Sequence, residues 1–125
     1  MKGERKLFAV GILAFLTITG WAAKEPPAAE MQTFSGEIMD TLCAPYGSHE
    51  HMMQQMKSMG SDKKSCIKQC LQLGAKYALY DATKHSYYRI DDQAKEKIEP
   101  FAGERVRITG TLNKKTIKVT DIKAE

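Results

Sequence analysis

The chain has 125 residues, of which 42% are hydrophobic and 27% are charged. These values are close to the globular average, so they exclude a disordered or collagen-like chain, and the length argues against a two-domain enzyme. The formal net charge of +4 is too small to indicate a polyanionic partner, and we therefore do not expect nucleic-acid binding from bulk electrostatics.

The first 22 residues have the three-part layout of a secretory signal peptide. Residues 1–6 are basic, residues 7–18 are almost wholly apolar, and Gly20 and Ala22 place small residues where a signal peptidase cuts. An apolar run of this length spans roughly 18 Å as a helix, less than the hydrocarbon core of roughly 30 Å. We predict cleavage near Ala22 and a periplasmic or secreted protein, which would contact a membrane only through this segment if it stays uncleaved.

The mature chain is predicted to begin with a Pro-containing linker over residues 23–32, followed by one domain over residues 33–125. Alternating apolar residues predict a first strand over residues 33–40, in which Gly36 can mark a β-bulge. Residues 41–74 contain Cys, His, Met and Gly and few β-branched residues. They predict a helical insertion with one helix over residues 50–59 and a second from a cap at Asp62 to about Leu73.

After Gly74 the pattern is typical of β-structure. Strands are predicted over residues 76–80, 86–90, 104–112 and 116–122, with a helical turn or loop over residues 92–102. Five short strands in about 100 residues lose their exposed edges when the sheet closes on itself. The predicted fold class is therefore mainly β, a small five-stranded OB-like barrel with an α-helical insertion between strands 1 and 2.

Four strings in the sequence carry a resemblance to a known group of proteins. They are GEIMDTLC from Gly36, CIKQC from Cys66, GAKYALY from Gly74, and FAGERVRITGTL from Phe101. In this pattern the chain resembles small secreted bacterial proteins of uncharacterised function with an OB-type barrel, over residues 34–122. The resemblance implies a fold and a secreted location, and it implies no activity.

Three cysteines cannot all pair within one molecule. Cys66 and Cys70 are four residues apart, so on a helix their Cβ atoms lie about 5 to 6 Å apart on one face. That separation suits a shared metal ion better than a disulfide between the two. With Cys43 and either His49 or His51 they would complete a tetrahedral zinc site, whereas thiolates with Met thioethers suit Cu(I). We therefore predict a zinc or copper site in the insertion.

A structural disulfide is the alternative for these cysteines. In an oxidising compartment Cys43 would bond to Cys66 or Cys70, and the remaining cysteine would be a small buried hydrophobic residue. The methionines of the insertion are interpreted first as a packing stripe and second as copper ligands. They are Met52, Met53, Met56 and Met59.

A binding face on the barrel is the alternative function. Tyr77, Tyr80, Tyr87 and Arg89 lie on the second and third predicted strands, where OB barrels stack bases or sugars. They would make the protein a non-enzymatic, disulfide-stabilised binding module for an oligosaccharide, a nucleic acid or a protein. No local nucleophile–base or phosphate-loop signature occurs in the sequence, so we predict no catalytic residues and no enzyme activity.

Overall fold

The computed structural model describes residues 20–21 and 27–125. Apart from Gly20 and Trp21, the predicted signal peptide lies outside the described residues. The first strand begins at Met31, two residues inside the predicted linker. Within the described ranges, no helix combines the length and the apolar character needed to cross a membrane.

The described chain is mainly sheet, with short helices between the strands. The strands are β1 (Met31–Asp40), β2 (Tyr77–Asp81), β3 (Ser86–Ile90), β4 (Arg105–Asn113) and β5 (Thr116–Ala124). The helices are α1 (Glu50–Gln55), α2 (Lys63–Gln72) and α3 (Lys95–Ile98). Single 3-10 turns span Ala44–Tyr46, Lys57–Met59, Asp92–Ala94 and Glu99–Phe101. Each predicted strand is present, and its bounds differ from the prediction by at most two residues.

The five strands form one mixed sheet that closes in a ring in the order β1-β2-β3-β5-β4. All neighbouring strands are antiparallel except β3 and β5, which are parallel and pair at Arg89 with Thr116 and at Ile90 with Ile117. β4 pairs back onto β1 and completes the ring. The closure gives each of the five strands a paired neighbour on both sides, which removes the free edges that favour aggregation.

β1 closes the ring because it pairs with β4 along its first part and with β2 along its last. Its register runs unbroken through Gly36, so the predicted bulge there is wrong. The irregularity lies instead in β4, between Thr109 and Gly110. A Cβ atom on Gly36 would lie 2.3 Å from the backbone oxygen of Tyr80. The glycine is therefore needed for the close approach of two backbones.

Apolar side chains from every strand fill the inside of the ring. Ile38, Leu79, Val106, Ile108 and Ile117 are fully buried there. Ile98 of α3 and Ile67 of α2 also belong to this cluster, so both helices pack on the core. Burial of such side chains contributes about 1.5 to 3 kcal/mol each, which makes this cluster the main source of stability for the fold.

A second buried cluster lies between the helical insertion and the opposite face of β1 and β2. Successive strand residues point to opposite faces, so Met39 and Ala78 face this cluster while their neighbours Ile38 and Leu79 face the inside of the ring. Its other buried members come from the insertion and the segment after it: Cys43, Ala44, Met59, Cys66, Cys70 and Ala75. The cysteines therefore lie where the insertion meets the sheet.

The insertion is less regular than its sequence pattern predicts. Helix α1 ends at Gln55, because Met56 adopts an extended backbone, and a separate 3-10 turn follows at Lys57–Met59. The predicted single helix over residues 50–59 is therefore wrong. The second helix is confirmed: the Asp62 carboxylate caps α2 by accepting from the Ser65 backbone N–H at 2.9 Å, and the helix ends at Gln72, before Gly74.

Candidate metal centre

Cys43 is held at a fixed place just beyond the end of β1. The Oδ1 atom of Asp40, the last residue of the strand, accepts hydrogen bonds from the backbone N–H groups of Leu42 at 2.9 Å and Cys43 at 3.0 Å. An aspartate that hydrogen-bonds the backbone two and three residues ahead stabilises a tight turn. The turn places the fully buried Cys43 thiol in the cluster between the sheet and the helices of the insertion.

Helix α2 supplies the other two thiols from one face. Cys66 and Cys70 are one helical turn apart and both are fully buried, whereas Lys68 between them is exposed. The Sγ atoms of Cys43 and Cys66 are 3.9 Å apart, and the three Sγ atoms all lie within 4.8 Å of one another. Tetrahedral zinc with Zn–S bonds of about 2.3 Å requires sulfur separations of about 3.8 Å. Three thiols that are buried and this close could hold one metal ion.

The predicted disulfide is not formed. All three cysteines are free, and no pair is at bonding distance within the described chain. Disulfide sulfurs lie about 2.05 Å apart, so the 3.9 Å separation of Cys43 and Cys66 fits two ligands of one ion better than a covalent bond. The prediction that the thiols converge from separate segments is confirmed, and the prediction of a disulfide is not.

The surroundings of the thiols disfavour thiolates unless a cation is present. Burial raises the pKa of the Cys43 thiol far above its ordinary value, and the nearby Asp40 carboxylate raises it further. Burial and the same carboxylate raise the pKa of Cys70 to about 12, and burial raises that of Cys66. The physical cause is the cost of gathering negative charge in a site without water. A bound metal ion reverses that cost and deprotonates the coordinating thiols.

A second group of potential ligands adjoins the first and shares Cys43 with it. The side chains of Asp40 and His49 are both buried, and their ligand atoms and the Cys43 sulfur all lie within 4.8 Å of one another. His49 Nδ1 is 3.9 Å from Asp40 Oδ2, and His49 Nε2 is 3.6 Å from Glu37 Oε1. Both separations exceed hydrogen-bond length. The Asp40, Cys43 and His49 group could therefore also bind a metal ion.

Glu37 connects this second group to the surface. Its Oε2 atom accepts from Lys63 Nζ at 3.0 Å, while Oε1 faces His49. Burial by itself raises the pKa of Glu37, but the nearby His49 and Lys63 lower it by more, so the net shift is downward. Glu37 is therefore a carboxylate that faces the buried histidine.

The structure separates the two predicted histidines. His49 is 2% exposed and belongs to the second group, whereas His51 is exposed and stacks on Tyr46 with ring centroids 4.4 Å apart. Among the described residues, neither candidate metal group includes His51. Of the four methionines, Met59 is buried in the cysteine-containing cluster, Met52 and Met53 pack against it, and Met56 is 39% exposed. The predicted packing stripe thus accounts for three of them.

The predicted tyrosine-rich binding face is divided between two sides of the sheet. Tyr77 belongs to the buried cluster inside the ring. Tyr80 and Tyr87 are paired across β2 and β3 and pack against the cysteine-containing cluster. Arg89 lies two residues after Tyr87, on the same side of β3, and borders a surface cavity with Tyr87 and Pro45. A ligand for these residues stays a prediction.

Asp40 and Glu37 are the residues of the site that the sequence pattern did not assign as ligands or supporting groups. One signal for Asp40 was present. It lies three residues before Cys43, so its carboxylate can accept hydrogen bonds from the backbone of the turn that carries the thiol. A buried carboxylate three residues before a cysteine indicates a polar site more than a turn alone does.

Comparisons with protein-family models, curated proteins and solved structures found no match for this chain. The resemblance to small secreted OB-type proteins stays a prediction.

Proposed function

We propose that this protein binds a metal ion through the thiolates of Cys43, Cys66 and Cys70. One observation carries the proposal: three fully buried thiols from two separate segments converge, with their Sγ atoms within 4.8 Å of one another. Three free thiols packed only as small apolar groups would not need to face each other. Shared coordination of one ion gives a physical reason for their convergence.

Zinc and Cu(I) are the ions that suit this set of donors. Thiolates bind both, and zinc is the ion that most often forms closed structural sites with three cysteines and one further ligand. The neighbouring donors are the oxygen of Asp40 and a ring nitrogen of His49. Oxygen and nitrogen donors beside thiolates favour zinc over Cu(I), which prefers sulfur alone.

The ion would join two parts of the fold. Cys43 follows β1, while Cys66 and Cys70 belong to α2 of the insertion. Coordination would therefore fix the insertion on the sheet, and metal binding would be coupled to the ordering of residues 41–74. This coupling of coordination to the insertion's order best supports a non-enzymatic metal-binding module, in which the ion stabilises the fold or is held as a store.

We propose further that the ring of strands is an OB-type barrel and that the protein is exported. The strand order, with a parallel β3–β5 pair and a helical connection between β3 and β4, supports the first point. The basic and apolar segments of residues 1–22 support the second. In an exported protein, bound metal would also protect three thiols from oxidation.

Metal analysis of the purified full chain tests the proposed function. We expect at least one ion per chain by elemental analysis and native mass spectrometry, with three thiols titratable after denaturation in chelator. Cys66→Ser should lower the metal content, because it removes one thiolate of the three-thiolate group. Lys68→Ser, an exposed position on the same helix, is the matched control and should leave it unchanged. Metal-free protein with one disulfide and one free thiol would overturn the proposal.

A further inference from the structure

The Asp40, Cys43 and His49 group contains buried polar atoms that the protein leaves without partners. Within the described part of the chain, Asp40 Oδ2, His49 Nδ1 and His49 Nε2 are fully buried and form no hydrogen bond. Buried polar groups are nearly always paired, and an unpaired one in a native protein requires a cause. Three such atoms on two facing side chains indicate that another partner belongs between them.

Their arrangement fits one metal ion. Nδ1 of His49 faces Asp40 Oδ2 at 3.9 Å, so an ion between the two side chains would satisfy both atoms, with the Cys43 sulfur as the third ligand. Metal bound at Nδ1 leaves the ring proton on Nε2, which faces the Glu37 carboxylate at 3.6 Å. A histidine ligand that donates its other N–H to a carboxylate is the common arrangement in metal sites. One ion thus accounts for two of the three unpaired atoms, and the third, His49 Nε2, faces the Glu37 carboxylate.

The charge of the combined site supports the same conclusion. Three thiolates and the Asp40 carboxylate together carry four negative charges, and all four side chains are fully buried. A single divalent ion on the thiolates leaves a net charge of −2 without contact to water, which is costly in a site of low dielectric constant. A second divalent ion makes the buried site neutral. Two monovalent ions would leave a net charge of −2 on the site, so charge neutrality favours two divalent ions.

We propose that Asp40, Cys43 and His49 bind a second divalent ion of zinc-like preference, and that the Cys43 thiolate bridges it to the ion held by Cys66 and Cys70. This rests on the proposed function, because the bridging sulfur belongs to the three-thiolate group. Oxygen, nitrogen and sulfur donors together are typical of zinc. Glu37, paired with Lys63, orients His49 for this ion without binding it.

The test is the zinc stoichiometry of the full chain and of single variants, with zinc alone as the probe. The wild-type chain should bind two zinc ions at saturation, and His49→Ala should bind one. His51→Ala is the matched control, since His51 lies two residues away and is exposed, and it should still bind two. Circular dichroism of each metal-free variant checks that the fold is retained.

Glu37→Gln is a second variant that leaves every proposed ligand in place. It should weaken binding of the second zinc by about 10- to 100-fold and leave the first unchanged, because it removes only the charge that orients His49. A wild-type stoichiometry of one overturns the two-ion proposal, whether or not His49→Ala weakens that ion, and leaves the proposed function intact. A zinc stoichiometry of zero, with no Cu(I) bound in the same measurement, overturns the proposed function itself.

Discussion

Single residues decide the chemistry of this site through their burial. Cys43, Cys66 and Cys70 have no exposed surface, and each of their pKa values is raised because a buried thiolate is poorly solvated. The i, i+4 spacing of Cys66 and Cys70 was sufficient to predict from the sequence that they share a face. The proximity of Asp40 and His49 could not be predicted, since it depends on how the insertion folds over β1.

The raised pKa values predict how the stability of the metal-free protein depends on pH. Below the ordinary thiol pKa of 9.0, the thiols are neutral in both the folded and the unfolded chain. Above it, the unfolded chain ionises first and gains stability relative to the fold. The free energy of unfolding of the metal-free protein should therefore fall as pH rises from about 8 to about 10.

Denaturant titrations at both pH values measure this effect. The control is a variant with alanine at all three cysteine positions, which retains the lysines and tyrosines that also titrate in this range. Its free energy of unfolding should fall less steeply over the same interval. Equal pH dependence of the two proteins would contradict the prediction.

At the scale of elements, alternation predicted the strands well, but helical spacing was misleading in the insertion. The hairpin strands β2 and β3 were predicted within one residue, because two Tyr-rich runs lie on either side of a short turn segment. Met52, Met56 and Met59 follow helical spacing, yet α1 ends before Met56. A six-residue helix without a side-chain cap at His49 gains little from propensity, so tertiary contacts decide its length.

The insertion should therefore depend on metal more than the sheet does. Its buried cluster with the sheet consists of cysteines, methionines and alanines, and such a cluster gives less apolar stabilisation than the isoleucine-rich interior of the ring. Chelation should raise amide hydrogen exchange across residues 43–70 and leave β4 protected.

Exchange measured by mass spectrometry with and without chelator checks this prediction, and the Cys66→Ser variant should resemble the chelated protein before any chelator is added. A uniform rise in exchange across the chain, or no change in exchange within the insertion, would contradict the prediction that the metal orders this segment in particular.

For the whole molecule, the closed ring was predictable from the number of short strands and the cost of free edges. The position of β5 between β3 and β4 could not be derived from alternation, which assigns faces and not neighbours. The parallel seam between β3 and β5 extends over only two residue pairs. The ring therefore depends on side-chain packing at this seam as well as on backbone hydrogen bonds.

Replacement of Ile117 by alanine tests how much the seam contributes to the stability of the whole fold. Ile117 pairs with Ile90 across the seam and is fully buried, so Ile117→Ala should lower the free energy of unfolding by about 2 to 5 kcal/mol. Lys118→Ala, at the adjacent exposed position, should change it by less than about 0.5 kcal/mol. Chemical denaturation of both variants measures the difference, and similar values for the two would contradict it.

The place of β5 also bears on when the chain can fold during its synthesis. β5 is the last of the five strands to leave the ribosome, yet its partners β3 and β4 both precede it. One margin of β3 and one margin of β4 consequently stay unpaired until β5 has left the ribosome. Until then these two margins can pair with another chain, as free strand edges do.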